Sequence, residues 1–326
     1  MTATTDRRSI RHVYGETLVA LGERDERIVV IDADMAPGTM TFMFRERFPE
    51  RFFDVGIAEQ NLVGIGAGFA LGGHIPFINT FAYLLALRAA EQVRSCVCYA
   101  RTNVKIAAGY GGVSGAMDGA SHCATMDLAV VRSLPNLVVL SVSDGVTTHA
   151  ATIAAAEYDG PVYLRLSRAT VPDVHPEGFE FRIGQGVTLR PGGDVTLVCT
   201  GVILGRCLAA AEELASQGVD ARVLEIHTLK PIDRELLRQA AEETGVIVTV
   251  EEHNIVGGLG AAVLEALADT CPVPVVRVGI KDVFGETGPH EALLDKLGLG
   301  VQDIVSAVNR ALRLCEERPP KWQIAL

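Results

Sequence analysis

The sequence has one tryptophan in 326 residues and only 6% aromatics. It is also short of positive charge: 29 Lys and Arg stand against 40 Asp and Glu, a formal charge of -11. An acidic chain repels polyphosphate over most of its surface, which argues against nucleic acid as a partner. Small anionic substrates are still accommodated where a few Arg side chains converge. No apolar run is long and unbroken enough to cross a membrane. The richest one, Leu62–Leu87, is interrupted by His74, Pro76 and Asn79 and reads as buried helix, turn and strand. Met1–Arg11 lacks the apolar core of a secretory signal. The seven Cys have no framework spacing, and the nearest pair, Cys96 and Cys98, falls on different faces of a helical stretch. Reduced thiols and a cytoplasmic setting are the expectation. No Cys or His cluster has metal spacing, so no metal ligand is expected in this chain.

What is present is a steady alternation of apolar runs and amphipathic stretches. Strands are expected at Arg27–Ile31, Phe52–Val55, Asn103–Ala107, Asn136–Ser141, Val162–Leu166, Val195–Cys199, Arg222–Ile226, Val246–Val250 and Val275–Val278. Helical periodicity lies between them, as at Cys207–Gln217, Arg234–Glu243 and Leu259–Asp269. This is the pattern of an α/β protein with two doubly wound domains and mostly parallel sheets, covered on both faces. The alternation fails once, at Ala169–Gly186, a Pro-rich stretch without helical period. The expected division is a domain over residues 1–168, a linker over 169–186 and a domain over 187–326. The tail Glu316–Leu326, with Pro319 and Pro320, reads as an extended arm.

Three segments carry chemistry. Asp54-Val55-Gly56-Ile57-Ala58-Glu59-Gln60-Asn61 places Glu59 where a strand ends and a Gly-rich helix starts, the edge at which open α/β sheets bind ligands. A Glu there also favours a helix N-terminus through the dipole, and on residue physics alone that plainer role has a slight lead. Met117-Asp118-Gly119-Ala120-Ser121-His122 lies in a Gly-rich loop after another strand; a charged pair in such a loop points to function. Arg168 follows the strand Val162–Leu166, and a guanidinium suits a phosphate or sulfonate. Gly258-x-Gly260 lacks the acidic partner of a dinucleotide site and is read as close helix packing, as are Gly64, Gly66 and Gly68.

The Glu59 segment resembles the pyrimidine-domain motif shared by transketolases, deoxyxylulose-phosphate synthases and the β subunits of 2-oxo acid dehydrogenases. Gly72-Gly73-His74-Ile75-Pro76-Phe77-Ile78-Asn79-Thr80-Phe81 is similar to the same domain. Ile226-His227-Thr228-Leu229-Lys230-Pro231-Ile232-Asp233 and Glu251-Glu252-His253-Asn254-Ile255-Val256-Gly257-Gly258-Leu259-Gly260 resemble the transketolase C-terminal domain, especially of two-chain transketolases. The motifs stand in the right order over nearly the whole chain.

The resemblance implies thiamine diphosphate as cofactor. Glu59 would bond N1′ of its aminopyrimidine and so drive the imino tautomer that removes the thiazolium C2 proton. Phe81 would stack on the ring, with Leu84 where the family has a second aromatic and Asp34 also on the cofactor side. Asp118 would bond the hydroxyl beside the donor carbonyl, and His122 the oxygen that exchanges a proton. Arg11 and Arg168 align with positions that hold a sugar phosphate. Tyr110 stands in place of a His, and Gly38 in place of a frequent Ser, so a different phosphosugar or a sulfonated sugar becomes an alternative. His227 and His253 are expected to be structural.

The Gly-Asp-Gly segment and later Asn that hold Mg²⁺ on the diphosphate are missing. The resemblance therefore implies a separate diphosphate-binding (N-terminal transketolase) subunit holding Mg²⁺, an α2β2 assembly, and transfer of a two-carbon ketol unit from an anionic ketose to an aldose. Two alternatives are a deoxyxylulose-phosphate synthase or 2-oxo acid dehydrogenase β subunit, and a non-catalytic regulatory subunit.

Overall fold

The computed structural model describes residues 7–316. Fourteen strands are found there: β1 (Arg7–Ser9), β2 (Ile28–Asp32), β3 (Phe52–Asp54), β4 (Ile75–Phe81), β5 (Lys105–Gly109), β6 (Val138–Ser141), β7 (Val162–Arg165), β8 (Thr170–Pro172), β9 (Val187–Arg190), β10 (Val195–Thr200), β11 (Ala221–Glu225), β12 (Thr228–Lys230), β13 (Ile247–Asn254) and β14 (Val275–Ile280). One sheet runs β12-β6-β7-β5-β4-β2-β3, and the other β14-β13-β10-β11-β9. All neighbours are parallel except the edge strands β12 and β9. Runs such as Ile28-Val29-Val30-Ile31 are buried along their length because helices cover both faces.

Two features depart from the expected division. β12 lies in the second half of the chain yet completes the first sheet, antiparallel to β6. The linker is not featureless: β8 pairs with β1 as a two-stranded ribbon. The helices Arg234–Thr244 and Leu259–Leu267 place Leu237, Ala240, Leu259 and Val263 in the same apolar cluster as Ile78 and Ile106 of the first sheet and Leu62 of the helix Glu59–Leu71. The two halves therefore share a core.

Linker residue His175 is buried between the halves. Its Nδ1 lies 2.8 Å from Asp144 Oδ2, at the N-cap of the helix Gly145–Glu157, and its Nε2 lies 2.9 Å from Glu225 Oε2, at the end of β11. Burial pushes the imidazole toward neutrality, but the two carboxylates outweigh it and hold the pKa up to about 10. The junction is thus a buried imidazole between two carboxylates.

Of the glycines in the helix Glu59–Leu71, only Gly66 is closely packed. A Cβ there would lie 2.6 Å from Ile78 Cγ2, whereas Gly64 and Gly68 have open space around them. Close packing does explain Gly258 and Gly260, where a Cβ would meet Glu251 Oε2 at 1.9 Å and Arg277 Cδ at 2.7 Å. His227 and His253 are buried. The helix Val301–Glu316 takes in the first residue expected in the extended arm; 317–326 lie outside the described residues. Among the described residues, no helix is long and apolar enough to cross a membrane.

Candidate active site

The carboxyl ends of β4, β5 and β7 converge on one point because parallel strands all release their loops at the same edge. β4 delivers Phe81, β5 delivers Tyr110 just past its end, and β7 delivers Arg168. Phe81, Leu84 and Tyr110 form a small buried apolar cluster with Met35 and Tyr83 packed against it. Phe81 meets Tyr110 edge-on at 4.8 Å and His122 edge-on at 4.9 Å, and is stacked near Tyr83 at 6.0 Å. Four aromatic rings, from the end of β4 and from the loop after β5, therefore meet in a chain with few aromatics.

Glu59 is the first residue of its helix and is 2% exposed. It is not alone in apolar surroundings. Arg88 Nη1 donates to both its oxygens, at 3.2 and 3.0 Å. Arg88 ends a π-helical turn, Leu84–Arg88, of the kind often found at functional sites. Burial raises the Tyr83 hydroxyl pKa; nearby Arg88 opposes this and nearby Glu59 adds to it. Tyr83 thus links the carboxylate to the aromatic cluster. Neither Tyr83 nor Arg88 stood out in the sequence, since no spacing ties them to Glu59. The one signal for Tyr83 was its place beside Leu84, where an aromatic was expected.

Tyr110 stands between Arg11 and Arg168, the two arginines expected at the anion. Arg11 Nη1 lies 3.5 Å from its hydroxyl and donates to Gly38 O at 3.1 Å, while the Arg168 guanidinium carbon sits 5.1 Å from its ring centre. Arg11 Nε is buried without an acceptor. The two unusual residues at positions 38 and 110 lie close together. A Cβ on Gly38 would meet the Tyr110 hydroxyl at 3.1 Å and Met35 Cε at 2.6 Å. Met35 and the tyrosine together crowd the space that a side chain at 38 needs.

Asp118 lies in the loop but its Oδ2 accepts from Arg168 Nη1 at 2.8 Å, with both side chains partly exposed. Asp118 and Arg168 were expected to bind separate parts of the substrate; here they are paired with each other. His122 is half-buried, with Nδ1 3.1 Å from Ser121 Oγ. Asp34 is exposed after β2, with φ +59, and its N–H donates to Asp54 Oδ1 at 3.1 Å. Among the described residues its side chain makes no hydrogen bond or ion pair. Beneath it, Asp32 is buried. Burial raises its pKa to about 6, although Thr39, Thr41 and the Met35 N–H all donate to it. Among the described residues, no group of three or more His, Cys, Asp or Glu could hold a metal ion.

An aromatic cluster and a buried carboxyl thus lie at the carboxyl edge of a parallel sheet. Residues 6–173 match the transketolase pyrimidine binding domain, and 184–304 the transketolase C-terminal domain. The chain is 39% identical over 92% of its length to a 6-deoxy-6-sulfo-D-fructose transketolase subunit of Clostridium sp. (strain MSTE9), covering 93% of that protein. It is 40% identical over 90% of its length to an apulose-4-phosphate transketolase subunit of Phocaeicola vulgatus, covering 94% of it. A solved split-gene transketolase, described as an inactive beta4 tetramer, superposes with TM-score 0.87 at 47% identity, over 94% of this chain and 99% of that one. The chain belongs to the transketolase family and carries its pyrimidine-binding and C-terminal domains. Thiamine diphosphate is the cofactor that this family implies.

Proposed function

We propose that this chain is one subunit of a split transketolase that moves a two-carbon ketol unit from an anionic ketose to an aldose. A separate diphosphate-binding subunit completes the site and holds Mg²⁺, in an α2β2 assembly. The observation that carries this reading is the meeting of Phe81, Tyr83, Tyr110, His122 and Arg168 at one sheet edge, beside a buried Glu59.

These residues fit an aminopyrimidine. Phe81 and Leu84 offer an apolar surface for the ring, and Glu59 offers a carboxyl whose partner, Arg88, is 53% exposed. When bound, thiamine diphosphate supplies a nucleophilic carbon for the donor carbonyl. Glu59 holds and exchanges the proton at N1′. Burial keeps water from replacing that single hydrogen bond. His122 moves a proton at the substrate oxygen, and Asp118 bonds the neighbouring hydroxyl once Arg168 turns to the anion. Arg11, Arg168 and Tyr110 receive the charged end, Arg11 Nε being a buried donor in want of an acceptor.

The named activities of the two relatives concern a sulfonated and a phosphorylated sugar, which supports an anionic donor and leaves its acid group open. The test is reconstitution with a diphosphate-binding subunit, thiamine diphosphate and Mg²⁺, followed by a screen of phosphorylated and sulfonated ketoses with an aldose acceptor. Two-carbon transfer is expected. Condensation of pyruvate with an aldose, without ketol transfer, would instead identify a deoxyxylulose-phosphate synthase chemistry.

A further inference from the structure

The loop between β5 and the helix Asp127–Arg132 carries Asp118 and His122, but it is not held by its own sheet alone. Its neck is closed by Gly112 and Ala124, which exchange backbone hydrogen bonds at 3.1 and 2.8 Å. On that neck lies Glu252, from β13 of the second sheet, 3% exposed. Its Oε1 accepts the buried Val113 N–H at 2.7 Å and lies 2.9 Å from His290 Nε2. The fit is close: Gly112 has φ +67, and a Cβ there would stand 2.3 Å from the same oxygen. Further along, Gly288 N–H reaches Ala116 O at 3.3 Å, and a Cβ on Gly285 would meet Cys123 Sγ at 2.6 Å. Val113, Ala116 and Cys123 are buried in the apolar cluster of the second sheet, with Leu197, Val250 and Leu293. The substrate-side loop is thus packed as part of the C-terminal domain.

We propose that Glu252 and His290 are positioning residues for ketol transfer, acting through the loop that sets Asp118 and His122. The proposal rests on the substrate role given to that loop above. One carboxylate oxygen shared by a loop N–H and an imidazole fixes the neck in direction as well as distance. A displacement of about 1 Å at a reacting group is enough to lower a rate roughly a hundredfold. This gives the C-terminal domain a task in the reaction without touching cofactor or substrate.

The test has two readouts. In the chain by itself, His290→Ala should raise hydrogen–deuterium exchange over 112–124 by about tenfold, the scale of one lost hydrogen bond, with β4 and β5 unchanged. In the reconstituted holoenzyme the same variant should lower kcat/KM for the ketose roughly tenfold to a hundredfold. Proton–deuterium exchange at the cofactor's C2, which depends on Glu59, should stay at the wild-type rate. His290→Gln, which keeps a polar tip near Glu252, should recover most of the transfer. Should the Ala variant fail to fold, His290→Asn is too short to reach Glu252 and gives the same comparison. Unchanged transfer, or transfer and C2 exchange falling in step, overturns the proposal. The substrate role of the loop fails separately, if Asp118→Ala and His122→Ala both keep full transfer.

Discussion

Around the carboxyl edge of the seven-stranded sheet, charges are paired at the rim of a cleft. Arg168 meets Asp118 with side chains 31% and 42% exposed, and Glu59 is met by an Arg88 that is 53% exposed. At the carboxyl edge of the five-stranded sheet, Glu225, Glu251 and Glu252 are all buried, and each has a fixed structural partner. Glu225 faces His175, Glu251 accepts the Leu259 and Gly260 N–H groups at 2.6 and 2.8 Å, and Glu252 holds the Val113 neck. Both sheets are mostly parallel and carry acidic residues at their carboxyl edges, but they put them to different uses. Where the edge opens on solvent, ion pairs can exchange partners with a ligand; where it is covered by the other half of the chain, the same residue types become fasteners.

The largest effect expected on the open edge is from Glu59→Gln. The amide cannot exchange a proton with N1′, so C2 exchange in the reconstituted enzyme should fall about 10²–10⁴-fold while the assembly stays folded. A wild-type exchange rate would remove Glu59 from the chemistry. On the closed edge the largest effect is on stability. His175→Ala leaves Glu225 buried without its counter-charge and should cost about 3–5 kcal/mol in urea unfolding, a buried pair broken on one side. The pH dependence has a definite sign. His175 has a folded pKa of about 10, above its ordinary 6.5, so its contribution is complete below 6.5 and is lost as pH climbs through 10. Wild type should lose stability over that window and His175→Ala should lose less; parallel curves would mean the imidazole is not charged in the fold.

Two smaller effects sharpen the picture of the open edge. Arg168→Ala should raise KM for ketoses with a charged end by roughly tenfold to a hundredfold, the worth of a charge-assisted hydrogen bond, and leave C2 exchange unchanged. An equal loss for uncharged short donors would make Arg168 structural. Tyr110→Phe removes only a hydroxyl 3.5 Å from Arg11 and should raise KM by about two- to tenfold. No change would reduce Tyr110 to a filler of the space left by Gly38.

Much of this division was legible in the sequence. Strand positions followed from buried β-branched runs such as Val138–Leu140 and Val195–Val198, and Glu59, Phe81, Asp118 and His122 stood out by motif. What escaped depends on contacts that sequence does not encode locally. β12 is three residues long and borrows its pairing from β6, so it has no period of its own to detect. His175 sat in a Pro-rich stretch read only as a linker, and its two carboxylates come from Asp144 and Glu225. Arg88 reaches Glu59 across a π-helical turn, and Gly38 and Tyr110 looked like two separate losses until one contact joined them.

The central claim is that this chain supplies the pyrimidine half of a site whose diphosphate half lies on another chain. Calorimetric titration of thiamine diphosphate with Mg²⁺ tests it directly, on this chain alone and again with a diphosphate-binding subunit present. Negligible heat alone and tight, Mg²⁺-dependent binding by the pair is the predicted result. Tight Mg²⁺-dependent binding by the isolated chain would contradict it.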